Sequence, residues 1–271
     1  MKSFVFSRYE VRSEKITDPV KICFVTDWHA SAHSFSPSVV MRLLECESPD
    51  LVLIGGDIVS CTMPESLHIA DSFLKKAADV WPIFYARGNH ESKLMHREVS
   101  RPKYTEYERR ITSYGVRLLH NRHISYIMTN QTIDIYGLTL PVRCYKRPFP
   151  PLLKAGTIEK VLGNPKEKTF SILMAHTPLY ADRYFAWGAD LTLCGHYHGG
   201  ILKFDAHHGA MSPQLIPFPR YCCGDFYHGK QTLITGAGLG DHSLPLRFNN
   251  PRELVTITLR PETGNGTGTC D

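Results

Sequence analysis

The sequence predicts an α/β fold with a mixed β-sheet, and three features of its 271 residues support this. Short β-branched runs alternate with amphipathic helical patterns, which is typical of parallel strands joined by helices. Two further strand-like runs flank a Thr-Asn-Gln turn and predict an antiparallel hairpin. The composition, 42% hydrophobic and 21% charged, is that of an ordinary globular protein.

The first third of the chain repeats the order strand, loop and helix. Residues 20–26 form a β-branched run, and Ser36 is placed to cap a helix that has proline in its first turn. Two more strands are predicted over 51–54 and 83–86, with an amphipathic helix between them. Each of the three strands stops at a polar residue, where loops of open α/β sheets commonly carry chemistry.

The rest of the chain has less regular connections. A helix is expected over 104–114 and a Pro- and Lys-rich loop with a short helix over 141–168. The segment 204–230 has the length of a functional loop and is expected to be irregular. The remaining strands are predicted over 123–128, 132–138, 170–174, 190–193, 232–235 and 254–259.

These elements predict a single domain over 1–262, followed by a flexible tail over 263–271. The N-terminal residues contain no apolar run of signal-peptide length, and no segment approaches the ~20 apolar residues of a membrane span. The eight cysteines lack a regular spacing, which is typical of a reducing compartment. We therefore expect a cytoplasmic protein. The sequence leaves open both a peripheral contact with a membrane and the oligomeric state.

The net charge of +5 suits anionic partners but lacks the clustering of a dedicated nucleic-acid binder. The densest basic stretches, Arg143–Arg147 and Lys154–Lys168, are interrupted by proline and apolar residues and indicate a solvated face. We therefore expect a small phosphorylated substrate and no dedicated nucleic-acid binding.

Five predicted strands end in residues that carry oxygen or imidazole donors. Each pattern alone is common, since a single histidine after a strand is more often structural. Together they are explained by one metal site, and donors of these types suit Mn, Fe, Zn or Co better than a thiolate-bound structural zinc. The candidate ligands are Asp27, His29, Asp57, Asn89, His176, His196 and His198.

The same motifs, D-x-H, G-D, G-N-H-[DE], H and G-H-x-H, occur in the order that marks the calcineurin-like metallophosphoesterase superfamily, which this chain resembles from Asp27 to about Leu259. The resemblance implies an αββα sandwich of two mixed β-sheets flanked by helices, with the metal site at the carboxyl ends of strands. It also implies two divalent cations. Asp27, His29 and His198 would bind one, Asn89, His176 and His196 the other, and Asp57 would bridge them.

Two details refine the resemblance. Many members carry a second aspartate three residues after that of G-D, where this chain has Ser60, but that aspartate is not a metal ligand in the superfamily. The segments 238–240 and 245–248 look most like the YkuE-like branch, whose members include phosphodiesterases and UDP-2,3-diacylglucosamine pyrophosphatases.

His90 follows the candidate ligand Asn89 and is the candidate catalytic residue. It is free either to protonate the leaving oxygen or to stabilise charge on the phosphoryl group. Glu91 is placed to orient it, or else to be a solvent-exposed helix cap.

Three other groups are weaker candidates. His207 and His208 suit a solvated loop better than a metal site, and Arg143, Lys146 and Arg147 suit a surface better than a second phosphate site. Stacking on a base or sugar and simple loop packing remain equally open for Tyr221, Phe226, Tyr227 and His228.

The predicted function is hydrolysis of a phosphodiester or pyrophosphate bond of a small molecule by a water that two cations activate. The close alternative is phosphomonoester hydrolysis. A nuclease, a protein phosphatase and an inactive scaffold are less favoured, because the modest net charge does not supply the basic groove expected of a nuclease and no motif has lost a residue.

Overall fold

Two six-stranded sheets form the centre of the computed structural model, which describes residues 4–31, 34–128, 130–200, 202–241 and 247–262. The predicted tail, 263–271, and positions 245 and 246 of the branch-specific segment lie outside these ranges. The strands are β1 (Phe4–Ser13), β2 (Val20–Val25), β3 (Leu51–Ile54), β4 (Ile83–Tyr85), β5 (Arg117–Leu118), β6 (Arg122–Met128), β7 (Gln131–Leu138), β8 (Phe170–Ala175), β9 (Leu191–Cys194), β10 (Gly224–His228), β11 (Gln231–Thr235) and β12 (Arg252–Pro261). The α-helices are α1 (Pro37–Glu47), α2 (Ser66–Ala78), α3 (Asn89–His96), α4 (Arg101–Ser113), α5 (Thr157–Leu162) and α6 (Ala181–Trp187).

Both sheets are mixed, as predicted. The first has the order β1-β12-β2-β3-β4-β5, in which β2 to β5 are parallel and β12 is antiparallel to β2. The second has the order β10-β11-β9-β8-β7-β6, in which β11, β9, β8 and β7 are parallel and the two outer strands are antiparallel to their neighbours. Each sheet therefore contributes a block of parallel strands whose carboxyl ends lie at one edge.

The sheets pack face to face, and helices cover their outer faces. Alternate residues of a strand point to opposite faces, so Ile22 and Phe24 of β2 pack against the second sheet while Cys23 and Val25 pack under α1, α2 and α4. The outer face of the second sheet is covered by α5 and α6. The fold is the predicted αββα sandwich.

The helix and hairpin predictions hold where local signals are strong. The Ser36 side chain accepts a hydrogen bond from the Val39 amide and caps α1, which has proline in its first turn. The predicted hairpin is formed by β6 and β7. The helix expected over 104–114 begins earlier, at Arg101, because Pro102 occupies its first turn.

The prediction for 204–230 is partly wrong, because the end of this segment forms strand β10. The strand makes a hairpin with β11 through a turn at Gly229, whose φ of +60° suits glycine. Strand β1 was also not predicted. It pairs in parallel with β12 along ten residues, a contact between opposite ends of the sequence.

No helix of the described ranges combines the length and the apolar character needed to cross a membrane. The seven cysteines in those ranges are free thiols. Cys222 and Cys223 are buried beside Tyr197, in a small cluster next to the G-H-x-H loop.

Candidate metal centre

The candidate ligands lie together at the carboxyl ends of five parallel strands. Asp27, Asp57 and Asn89 follow β2, β3 and β4, whereas His176 follows β8 and the G-H-x-H loop follows β9. Because the two sheets face each other, the loops of one meet the loops of the other. All seven candidate side chains are buried.

One group of donors consists of Asp27, His29 and His198, whose ligand atoms lie within 4.8 Å of one another. Nε2 of His198 is 3.4 Å from Oδ1 of Asp27 and 3.3 Å from Nε2 of His29. Two imidazoles and one carboxylate are a donor set that suits a divalent transition metal.

A second group consists of Asp57, His176 and His196, also within 4.8 Å of one another. Nε2 of His176 lies 3.1 Å from Oδ2 of Asp57 and 3.7 Å from Oδ1 of Asp27. The two groups are therefore adjacent, with Asp57 and His176 next to the carboxylate of the first group.

The side-chain oxygen of Asn89 completes the second group. It faces two acceptors, Nδ1 of His196 at 2.8 Å and Oδ2 of Asp57 at 3.3 Å, and a turn of the amide would let its nitrogen donate to both. A cation between these atoms favours the orientation with the oxygen inward, since buried acceptors need a donor or a cation. Oδ1 of Asp27 is likewise buried and makes no hydrogen bond within the described residues, with Nε2 of His198 and of His176 at 3.4 and 3.7 Å. The residues present therefore fit divalent cations.

The electrostatics of the site also favour a positive charge. Burial raises the pKa of Asp27 to about 6. Burial also opposes ionisation of Asp57, but His176, His90 and His29 hold the pKa of Asp57 well below its usual value. For His176, burial disfavours the charged ring, yet Asp57 and Asp27 outweigh it and raise the pKa to about 10. The two carboxylates thus favour a positive charge on the ring of His176. A metal cation can supply that positive charge instead of the proton.

The backbone at the site is strained. Asp27, His29, Asp57, His196 and His198 all have positive φ values between 50° and 66°, a region that residues other than glycine rarely adopt. Such strain is stored where the surrounding structure holds a functional side chain in place.

Two of the glycines that flank the candidate ligands in the sequence are needed because the backbone packs closely against the carboxylates of Asp27 and Asp57. A Cβ atom on Gly195 would lie 2.2 Å from Oδ2 of Asp27, and one on Gly88 would lie 2.2 Å from Oδ1 of Asp57. Instead, the amides of His196 and His90 donate to these same oxygens at 2.8 Å. The carboxylates are therefore oriented by backbone groups that a larger residue would displace.

Glu91 caps the N-terminus of α3, as one of the two expectations had it, but it is buried and not solvent-exposed, and its hydrogen bonds go to groups other than the ring of His90. It is fully buried, and its carboxylate accepts hydrogen bonds from the amides of Asp57 and Gly88 at 2.9 and 3.0 Å and from the hydroxyl of Tyr85 at 2.8 Å. Burial, with Asp57 nearby, raises the pKa of Glu91 to about 7. Its role is to join the loop after β3 to the loop after β4.

Gln214 is a residue that the sequence patterns did not reveal. It is fully buried, and its amide group lies 2.6 Å from Nε2 of His196. With the amide nitrogen of Gln214 next to the ring, its carbonyl oxygen has no partner among the described residues. Turning the amide by 180° instead places the carbonyl oxygen next to Nε2 of His196. A lone glutamine in a Pro-rich segment carries no local signal of such a contact.

His90 lies beside the donors with a defined tautomer. Its Nδ1 accepts a hydrogen bond from the amide of Cys61 at 3.0 Å, so the ring is neutral and its proton is on Nε2. Burial lowers the pKa of His90, Asp57 opposes this, and Lys93 and Arg147 lower it further. His90 also lies within 4.8 Å of ligand atoms of His29 and Asp57, so its geometry permits either a catalytic or a metal-binding role.

The candidate ligands open into a cleft of about 1010 Å³. One part of it is lined by His90, Tyr145 and five of the candidate ligands, His29, Asp57, Asn89, His196 and His198, and the loop Ser60–Met63 lines another. Three cationic residues also face it, namely Lys93, Arg97 and Arg147. Such a volume accommodates a small molecule.

The weaker candidates divide between this cleft and other surfaces. Arg147 lines the cleft, whereas Arg143 and Lys146 are exposed and do not. His208 is exposed and contacts Asp205, and His207 contacts Asp225 at 3.3 Å. Both histidines therefore lie outside the metal centre. Tyr221, Phe226, Tyr227 and His228 line a separate cleft of about 570 Å³ with Phe185 and Arg220.

A buried set of carboxylate, amide and imidazole donors at the strand ends of an αββα sandwich defines a metal-dependent phosphoesterase. The chain belongs to the calcineurin-like phosphoesterase family, whose model matches residues 20–200.

Its relatives include phosphodiesterase YaeI of Escherichia coli, which is 28% identical over 89% of this chain and 82% of that one. They also include the uncharacterized metallophosphoesterase YkuE of Bacillus subtilis, which is 31% identical over 90% of this chain and 80% of that one. Among solved structures, a phosphopantetheinyl hydrolase from Mycobacterium tuberculosis is similar with a TM-score of 0.48 and 13% identity, over 79% of this chain and 88% of that one.

Proposed function

We propose that this enzyme hydrolyses a phosphodiester or pyrophosphate bond of a small molecule, with two divalent cations bound at the candidate metal centre. The observation that carries the proposal is the presence of two adjacent donor groups, with Asp57 between His29 and His176. The similarity to YaeI, which is named a phosphodiesterase, supports the choice of a diester over a monoester.

The two cations would be divided between the two donor groups. Asp27, His29 and His198 would hold one cation, Asn89, His176 and His196 the other, and Asp57 would contact both. When bound, a pair of such ions neutralises phosphoryl oxygens and lowers the pKa of the attacking water. The protein supplies rigid ligands, since backbone amides and the strained loops fix the carboxylates before substrate arrives.

His90 would contact the substrate beside the metal centre. Its Nδ1 is occupied by the Cys61 amide, so its Nε2–H is the group available to the cleft. A neutral imidazole is a weak acid but a good hydrogen-bond donor, so we assign it to stabilising negative charge on a phosphoryl oxygen.

The proposal predicts close to two transition-metal ions per folded chain, together with diester or pyrophosphate hydrolysis. The test is metal analysis of protein purified without chelator. It is followed by assays of diesters, monoesters and nucleotide sugars with Mn, Fe, Zn, Co and Mg, before and after chelation. Monoester hydrolysis alone would favour a phosphomonoesterase, and a protein inactive with every metal would contradict the proposal.

Gln214→Leu is expected to weaken binding of one cation by about 10- to 100-fold, the usual effect of removing a partner that orients a ligand. If Nδ1 of His196 binds the cation, Nε2 carries the proton, and only an oxygen acceptor at Gln214 stabilises that tautomer. Gln214→Glu keeps an acceptor and should retain more affinity.

The measurement is calorimetric titration of the apoprotein with Mn²⁺. Gln131→Leu is the matched control, because Gln131 bonds to Thr17 and Asp18 away from the metal centre. Wild-type affinity in Gln214→Leu would show that the contact does not position His196.

A further inference from the structure

The cleft beside the candidate metal centre has a cationic wall, formed by Lys93, Arg97 and Arg147. Lys93 is half-buried, while Arg97 and Arg147 are exposed. All three line the same cleft as His90 and the loop Ser60–Met63, and Arg97 lies beside the carbonyl of Cys61, which places the three charges around one region of the cleft. Like charges gathered in this way repel one another unless an anion joins them.

The cationic wall has no carboxylate partner in the part of the chain that the structure describes. None of its charged nitrogens lies within 4.0 Å of an Asp or Glu oxygen there, although ion pairs are frequent elsewhere on the surface. The cleft also contains Asp241, but that carboxylate is engaged by Arg252 at 2.5 Å and lies 3.7 Å from Arg247. The charges of the cationic wall therefore remain available to a ligand.

Helix α3 sets the spacing between the cationic wall and the metal centre. It begins at the candidate ligand Asn89, Lys93 follows four residues later, and Arg97 caps its C-terminal end eight residues later; both cations line the cleft. At the helical rise these positions lie about 6 and 12 Å along the axis from Asn89. Arg97 donates to the carbonyl of Cys61 at 3.5 Å, so its guanidinium lies beside the loop after β3. The cationic wall thus continues along the cleft away from Asn89.

We propose that Lys93, Arg97 and Arg147 bind a second phosphate of the substrate, on the His90 side of the metal centre. This inference rests on the proposed function, because the first phosphate is the one that the metal centre cleaves. Arginine and lysine are the side chains that recognise phosphate through charge-assisted hydrogen bonds. The second phosphate belongs either to a pyrophosphate linkage or to a distant position of a diester.

The test compares three substrates with the metal-loaded enzyme. Thymidine 5′-(p-nitrophenyl phosphate) has one phosphate, its 3′-phosphorylated counterpart adds a second, and ADP-ribose carries its second phosphate in a pyrophosphate. We expect kcat/KM to be at least about tenfold higher for one of the two substrates with a second phosphate, the effect of one charge-assisted hydrogen bond. Which of the two is preferred identifies the position of the second phosphate.

Lys93→Met and Arg147→Met should each remove part of that preference of about tenfold, and the double variant should remove it entirely. Lys146→Met is the matched control, since Lys146 lies next to Arg147 but does not line the cleft, and it should keep the preference. Melting temperature and metal content check that each variant is folded and loaded.

Two other outcomes are distinguishable. If kcat/KM of the wild type is equal on all three substrates, the second-phosphate site is overturned and the proposed hydrolysis is not. The same holds if kcat/KM of the variants falls by the same factor on all three. Absence of hydrolysis of every substrate by the metal-loaded wild type would contradict the proposed function itself.

Discussion

Asp57→Asn is expected to lose both cations and to lower turnover by about 10³-fold or more. Asp57 belongs to the second donor group and also lies within 4.8 Å of the ligand atom of His29 in the first, and a neutral amide compensates the charge of two nearby cations poorly. Each metal contributes several kcal/mol to stabilising the transition state, which corresponds to a loss of this size. The measurements are bound metal per chain and kcat on a diester.

Two other carboxylate-to-amide variants test whether the effect is specific to Asp57. Asp27→Asn should damage metal content and activity less, because its carboxylate belongs to the first donor group. Asp134→Asn removes another fully buried carboxylate, one that bonds to Ser125 and Lys166 on the second sheet, and should leave the metals bound. If Asp57→Asn kept both metals and near-normal turnover, the bridging assignment would be wrong.

His90→Ala is expected to lower kcat by about 10²–10³-fold while the metal content stays at the wild-type level. The ring presents Nε2–H to the cleft, and removal of one such donor to a developing oxyanion has an effect of this size. We expect kcat to fall by the same factor for a nitrophenyl diester and for an alkyl diester, because charge on the phosphoryl oxygens develops with both leaving groups.

The same variant separates the other roles of His90. A greater fall for the alkyl diester, whose leaving oxygen needs a proton, would show that His90 is a general acid. Loss of bound metal would show that it is a ligand. His96→Ala, at the exposed end of α3, is the control and should leave both rates unchanged.

The strand-end pattern was sufficient to predict the fold class and the proximity of the candidate ligands. Parallel neighbours in a sheet must bring their carboxyl ends to one edge, so residues after β2, β3 and β4 converge without further information. The convergence of His176 and the G-H-x-H loop on the same point depends on the packing of the second sheet. That packing was implied only by the family resemblance.

Contacts across the tertiary structure decided the rest. Strand β1 was missed because its partner β12 lies at the other end of the chain, and β10 because a Pro-rich segment precedes its hairpin. Glu91 was expected near His90 or in solvent, but the approach of the loop after β3 buries it.

The sequence by itself determined which side chains are candidate metal ligands, because donor chemistry and strand periodicity are local properties of the chain. Only the tertiary structure decided which residues contact those candidates and which line the cleft. Gln214 reaches His196 across 18 positions, and Arg147 joins Lys93 and Arg97 from a different loop. Such juxtapositions depend on how loops close over the two packed sheets, and this closure leaves no periodic signal in the sequence.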